Sequence, residues 1–245
     1  MLYRRYFEGP LLTTLHCHDK DFWDREVYRT LFENSLFSAV SQYQAHRYDY
    51  LPVIDVVYNG IDVETFPFSD RKEDYLLFLG KMSEQKGAHI AIEVAQALGE
   101  RLVIAGYVGD ERMNFEERIK PHIDGDRIRF VGPVNDEQKK RLYRDAKAVL
   151  MPSQYTESFG LVLAESMACG TPVIAFNRGA VGEVVADGET GYAVESIDDM
   201  KYAGKHIREI DPRKCRERVE QHFSSETMAQ RYLDLYQRVI ETENS

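Results

Sequence analysis

Tyr155-Thr156-Glu157-Ser158-Phe159-Gly160-Leu161-Val162-Leu163-Ala164-Glu165-Ser166-Met167-Ala168-Cys169-Gly170-Thr171-Pro172-Val173-Ile174 runs from a polar loop into a short apolar helix, then through a glycine stop into an apolar strand. With the apolar run at 148–151 before it, the stretch reads as a strand, a helix and a second strand, the unit from which parallel sheets are built. The helix is predicted over 159–169, and an eight-residue offset is a little over two turns, so Glu157 and Glu165 are expected on one helical edge. Glu165 interrupts a set of residues that favour burial, Leu161, Val162, Leu163, Ala164 and Met167. Its carboxylate therefore needs a partner, either a nearby Lys or Arg or a ligand.

Outward from this unit the same alternation continues in both directions. Strands are predicted at 75–79, 102–105, 128–131, 148–151, 173–176 and 192–194, with helices at 88–98, 115–122, 136–145 and 159–169 and a short one near 182–186. Strands this short and continuously apolar suit a parallel sheet covered on both faces, and right-handed crossovers make 75–223 a Rossmann-like domain. Upstream, strands are predicted at 11–15, 36–40 and 54–58, with an amphipathic helix carried by Phe22, Trp23, Val27, Leu31 and Phe32. Three strands are too few for a doubly wound domain. Residues 67–74, with Pro67, Ser69, Asp70 and a run of charges, read as a linker, and 224–245 as a closing amphipathic helix with Met228, Tyr232, Leu235 and Val239 on one side.

Bulk properties narrow the function classes. The 245 residues carry a formal charge of -10, which disfavours general binding to nucleic acid or to an anionic membrane. Cys17, Cys169 and Cys215 form no CxxC unit, so neither a disulfide framework nor a structural zinc site is suggested. No apolar run is long enough to span a bilayer and no signal peptide is visible, so a cytoplasmic location is expected, with a peripheral place at the inner membrane face as its variant.

In an open α/β sheet, ligands bind at the carboxyl ends of the strands, so the loops there carry the chemistry. After the first strand of the second unit, Gly80-Lys81-Met82-Ser83-Glu84-Gln85-Lys86-Gly87 has two glycines for close backbone approach and two cations beside a helix start. It lacks the spacing of both GxGxxG and the P-loop, which argues against a nicotinamide-dependent oxidoreductase. The loops at Gly106 and at Val131-Gly132-Pro133 read as simple turns or as backbone that meets the edge of a planar base. The free N–H groups of Ser158, Phe159, Gly160 and Leu161 can hold an anion, while Glu157 and Glu165 can accept from hydroxyls. Cations at Lys81 and Lys86 opposite them describe a site for a molecule anionic in its middle and hydroxylated at its ends, such as a nucleotide sugar.

Tyr58-Asn59-Gly60-Ile61-Asp62, Phe78-Leu79-Gly80-Lys81 with Lys86-Gly87, Pro152-Ser153, Glu157-Ser158-Phe159-Gly160-Leu161 with Glu165-Ser166-Met167-Ala168-Cys169-Gly170-Thr171-Pro172-Val173, Gly179 with Glu183-Val184-Val185, and Asp187-Gly188-Glu189-Thr190-Gly191 together resemble the retaining glycosyltransferases of family 4 type, the glycosyl transferases group 1. The resemblance covers about residues 11–240 and implies a GT-B fold, an α/β architecture of two facing Rossmann-like domains. In it, 75–223 is the nucleotide-sugar donor-binding domain and 1–66 the C-terminal part of an incomplete acceptor-side domain. Lys81 and Lys86 match the pair that holds the donor diphosphate, with Lys81 standing where the family usually has Arg. Glu165 matches the glutamate on the ribose hydroxyls, Glu157 the glutamate near the donor sugar, and His16, rather than His18, the histidine beside sugar and acceptor. The implied catalytic set is His16, Lys81, Lys86 and Glu157. The implied donor contacts are Gly80, Lys81, Lys86, Gly106, Val131, Glu157, Ser158, Phe159, Gly160, Leu161 and Glu165.

The implied reaction moves a sugar from a nucleoside diphosphate sugar, UDP- or GDP-linked, to a hydroxyl acceptor with retention, without a cofactor or a metal. The resemblance further implies an N-terminally truncated member: a truncated or split gene, a fragment, or a chain whose missing half of the cleft a second chain supplies. The competing reading is a noncatalytic, partner-dependent nucleotide-sugar-binding subunit. Sugar-nucleotide epimerases, phosphorylases and a purely structural protein are the more distant ones.

Overall fold

Runs of apolar, mostly branched residues stopped by Gly, Pro or Asn set the strands, and they stack in parallel. The computed structural model describes residues 9–16 and 35–243. The helix expected through Phe22 to Phe32, and with it Cys17 and His18, lies outside the described residues. β1 (Leu12–Leu15), β2 (Leu36–Ala39) and β3 (Val53–Val56) form one parallel sheet in that order, with α1 (Gln42–Arg47) between the second and third strands. Ser41 caps α1 by accepting from the Gln44 N–H.

The second sheet is built from β4 (Leu76–Leu79), α2 (Ala88–Leu98), β5 (Leu102–Ala105), α3 (Arg112–Asn114), β6 (Ile128–Gly132), α4 (Asp136–Asp145), β7 (Ala148–Met151), α5 (Leu161–Ala168), β8 (Val173–Phe176), α6 (Val181–Val184) and β9 (Gly191–Val194). After it come α7 (Ile197–His206), α8 (Pro212–His222) and α9 (Ser225–Glu243). Its strand order is β6-β5-β4-β7-β8-β9 and every pair is parallel. That is the doubly wound order, and the direction of winding reverses between β4 and β7. The crevice outside the carboxyl ends of those two strands is where this fold binds ligands.

Three expectations need correction. The helix expected at 115–122 is irregular, α3 passing into a π turn at Phe115–Ile119 and a 3-10 turn at Lys120–His122, because Pro121 cannot donate into a regular helix. β6 is not covered on both faces. It is an edge strand on which Arg129 and Val131 are exposed, while Phe130, on the other face, packs on Phe115. Two helices, α7 and α8, went unforeseen within 195–223.

The chain crosses twice between the sheets. Where residues 59–61 leave the first sheet, Ile61 donates to the Phe223 carbonyl at 2.9 Å and accepts from Ser225 N–H at 2.8 Å. α9 thus returns to the first sheet, where Leu235 and Val239 pack on Val57 beside Leu12 and Leu36. The Tyr232 and Thr14 hydroxyls are hydrogen-bonded at 2.9 Å. The helix closes the fold by covering the smaller sheet.

Candidate functional site

The crevice at the winding reversal begins with the loop after β4. Gly80 N–H donates to the Ala105 carbonyl and Met82 N–H to Tyr107, which ties this loop to the one after β5. Gly106 makes the approach feasible: at φ 141 an added Cβ there would lie 1.8 Å from the Gly80 carbonyl oxygen. A 3-10 turn, Glu84–Lys86, then aims Lys86 back across the crevice toward the loop after β7.

Lys86 Nζ lies 2.9 Å from Glu157 Oε1, donates to the Tyr155 hydroxyl and stands 4.2 Å from the centre of the Tyr155 ring. Burial alone would lower the Lys86 pKa, but the Glu157 carboxylate and the Tyr155 hydroxyl outweigh it, and the pKa is raised. Lys86 is therefore a fixed cation. Tyr155, whose own pKa burial raises, was not anticipated as a site residue; its only signal was an aromatic side chain in a polar loop directly after a strand.

Glu157 is nearly buried, at 9 % exposure, and its backbone pairs with the loop before α6, its carbonyl accepting from Ala180 N–H at 3.0 Å. This placement overturns the expected helical edge. α5 starts only at Leu161, so Glu157 sits in a loop and no two-turn helical offset relates it to Glu165. The helix starts late because Gly160 holds φ at 87, a left-handed conformation that ends any helical run from the amino-terminal side.

Around the start of α5 the expected anion contacts are divided. Gly160 caps the helix with no side-chain bond, and Leu161 is exposed on its first turn. Ser158 donates its hydroxyl to the His16 carbonyl at 3.3 Å, bringing the end of β1 against the mouth of α5. His16 itself is exposed. Phe159 is buried between Tyr58 and Phe223, at ring distances of 6.2 and 5.4 Å, so only its backbone faces the crevice.

Lys81 and Glu165 lie apart from the Lys86 cluster. Lys81 is 3.4 Å from Glu111, in a pair open to solvent on both sides. Glu165 accepts from Lys139 Nζ at 2.8 Å and from the Tyr143 hydroxyl at 3.1 Å. Tyr143 is fully buried, and burial first, then the Glu165 charge, keeps its hydroxyl protonated well above the usual range. The partners that the sequence demanded for Glu165 are therefore the Lys139 ammonium and the Tyr143 phenol. Val131 is exposed on β6, on the side of a cavity beside α4. Among the described residues there is no cluster of three His, Cys, Asp or Glu side chains for a metal, and no helix long and apolar enough to cross a membrane.

Similarity to known proteins agrees with this geometry. The family described as glycosyl transferases group 1 matches residues 64–222. D-inositol 3-phosphate glycosyltransferase of Mycobacterium sp. (strain KMS) is 34% identical over 161 residues, 59% of this chain and 36% of that protein. Glycogen synthase of Mycobacterium tuberculosis (strain ATCC 25618 / H37Rv) is 32% identical over 204 residues, 76% of this chain and 49% of that protein. Among solved structures, AviGT4, a glycosyltransferase involved in avilamycin A biosynthesis, superposes with a TM-score of 0.71 at 27% identity, over 84% of this chain and 64% of AviGT4. The chain thus spans between about a third and a half of the two sequence relatives.

Proposed function

The chain belongs to the glycosyl transferases group 1 family, and from that premise we propose that it transfers a sugar from a nucleoside diphosphate sugar, UDP- or GDP-linked, to a hydroxyl acceptor with retention at the anomeric carbon. Residues 75–223 bind the donor. The observation that carries this reading is the Lys86, Tyr155 and Glu157 cluster at the reversal of the sheet, beside the uncapped start of α5.

In this reading the diphosphate lies between Lys86 and the amides of residues 158–161, with Lys81 swinging from Glu111 to reach it. These groups neutralise charge as the bond from the anomeric carbon to the phosphate oxygen breaks. The acceptor oxygen bonds to that carbon from the same face, and its proton passes to the departing phosphate. Glu157, held by Lys86, orients the sugar rather than attacking it. Glu165 takes ribose hydroxyls in place of part of its bonding to Lys139 and Tyr143. His16, at the end of β1, faces the sugar and the acceptor.

A thermal-shift screen of uridine, guanosine and adenosine diphosphate sugars tests the reading, with K86A and E165Q beside the wild type. One base class is expected to raise the melting temperature. Loss of a charge-assisted contact to phosphate, about 1.5–3 kcal/mol, makes binding to K86A roughly ten- to hundredfold weaker. No response to any donor, or an undiminished response in K86A, refutes the assignment.

A further inference from the structure

A cavity of about 500 Å³ lies not in the crevice but along the face of the second sheet where β5 and β6 meet α4. The topology accounts for it. β6 is the edge strand, and the connection through α4 leads back to β7, on the far side of β5 and β4, so the outer face of β6 lacks a full cover. Parallel register sets Val103 beside Arg129, and Val103, Tyr75 and Leu142 give the cavity an apolar floor.

Arg127, Arg129 and Arg141 line it, and none of their guanidinium groups has a hydrogen bond or ion pair among the described residues. Three such groups thus share one cavity in a chain with ten more acidic than basic charges. Arg118 pairs with Glu84, Arg144 with Asp145 and Arg216 with Glu220, while Arg47, Arg71 and Arg112, scattered over the surface, lack a side-chain partner among the described residues as the cavity's three do. Carboxylates reach the cavity too, at Glu73, Asp126 and Asp145, the last held by Arg144, without closing on its three guanidiniums.

We propose that this cavity, which shares only Val131 with the expected donor contacts, is a second small-molecule site, for a soluble phosphate ester with a hydroxylated carbon body. Planar guanidiniums with free donors match a phosphate's oxygens two at a time. The apolar floor receives the carbon skeleton, and Glu73 and Asp126 accept from its hydroxyls. The volume lies within the ordinary range of small-molecule pockets, roughly 300–1,000 Å³.

Thermal unfolding with sodium phosphate and with ribose 5-phosphate, against sodium chloride at matched ionic strength, tests the site. It is run in a K86A background, which weakens any response of the donor crevice, and the arginine variants separate what remains of it from the cavity. Both phosphates are expected to raise the melting temperature by about 2–4 °C at roughly five times the dissociation constant, and R129Q/R141Q to abolish the rise. Both arginines are exposed, so the double variant keeps its ligand-free melting temperature; should it not, R127Q serves in its place. A rise equal to that with chloride, no rise, or a rise that survives loss of the arginines overturns the proposal. Sedimentation with phosphatidylglycerol vesicles distinguishes a lipid headgroup. Arginine-dependent sedimentation without a response to ribose 5-phosphate overturns the soluble ligand.

Discussion

Lys72 lies in the stretch that composition marks as a linker, yet its ammonium is one of the better-satisfied groups in the molecule. It donates to the Arg144 carbonyl at 2.9 Å, the Cys169 carbonyl at 3.0 Å and the Thr171 hydroxyl at 2.7 Å. Burial pushes its pKa down from 10.5 to about 8. Below pH 8 both folded and unfolded chains carry the charge, and the folded state bears the full desolvation cost. Between about 8 and 10.5 the unfolded chain binds more protons, so this residue makes stability rise with pH. Thermal unfolding of wild type and K72M across that window should show the wild type gaining on the variant by on the order of 1–3 kcal/mol. A constant difference means that Lys72 titrates normally. A linker composition gives no hint of this, because the three acceptors come from the ends of α4 and α5 and just beyond. The site shows the same division. The sequence called for a partner to Glu165 and for cations at 81 and 86, all from local pattern. That Lys86 rather than Lys81 meets Glu157, and that Tyr155 joins them, depends on loops brought together by the sheet.

Glu183, on the four-residue helix α6, ties the two sheets together at the level of single elements. Its carboxylate accepts from the Gln42 N–H at 2.8 Å, the Tyr43 N–H at 2.7 Å and the Tyr58 hydroxyl at 2.9 Å. The first two are N–H groups at the start of α1 that have no acceptor within the helix, and a negative charge there is favoured by the helix dipole. Tyr58, raised to about 12 by burial and then by Glu183, remains a donor at any physiological pH. E183A should cost about 1–3 kcal/mol and speed hydrogen exchange at the Gln42 and Tyr43 amides, with E183Q between it and the wild type. Unchanged protection of both amides in E183A means that the contact does not hold α1. Strands, by contrast, were legible from sequence almost to the residue, since each is a short apolar run between stops. α7 and α8 were not, because they bury few residues: Met200 and Ala203 in one, Cys215 and Val219 in the other. Their usable signals were caps, Ser196 before two aspartates and Asp211 before Pro212.

Among the described residues the hydrophobic core is unequally divided. One continuous cluster runs through the second sheet and its helices and reaches Val40 just after β2, whereas the described residues of the first sheet otherwise rest on two small ones. Leu15, Phe37, Tyr48 and Leu51 form the first of these, and Val57, Leu235 and Val239 the second. The periodicity of α9 was readable in the sequence, but not that its apolar side covers a sheet formed nearly two hundred residues earlier. Such a division predicts uneven stability, since local unfolding follows the amount of buried apolar contact. Calorimetry should resolve a lower transition for the first sheet and α9 and a higher one for the second sheet. Leu235 is fully buried, and L235A should lower the first transition by about 2–5 kcal/mol while leaving the second in place. Removing Glu183 should widen the gap, because its bonds to α1 and Tyr58 are among the links through which the larger core supports the smaller. If both transitions fall together in L235A, the two sheets share one cooperative core, and α9 is part of it rather than a cover for the weaker half.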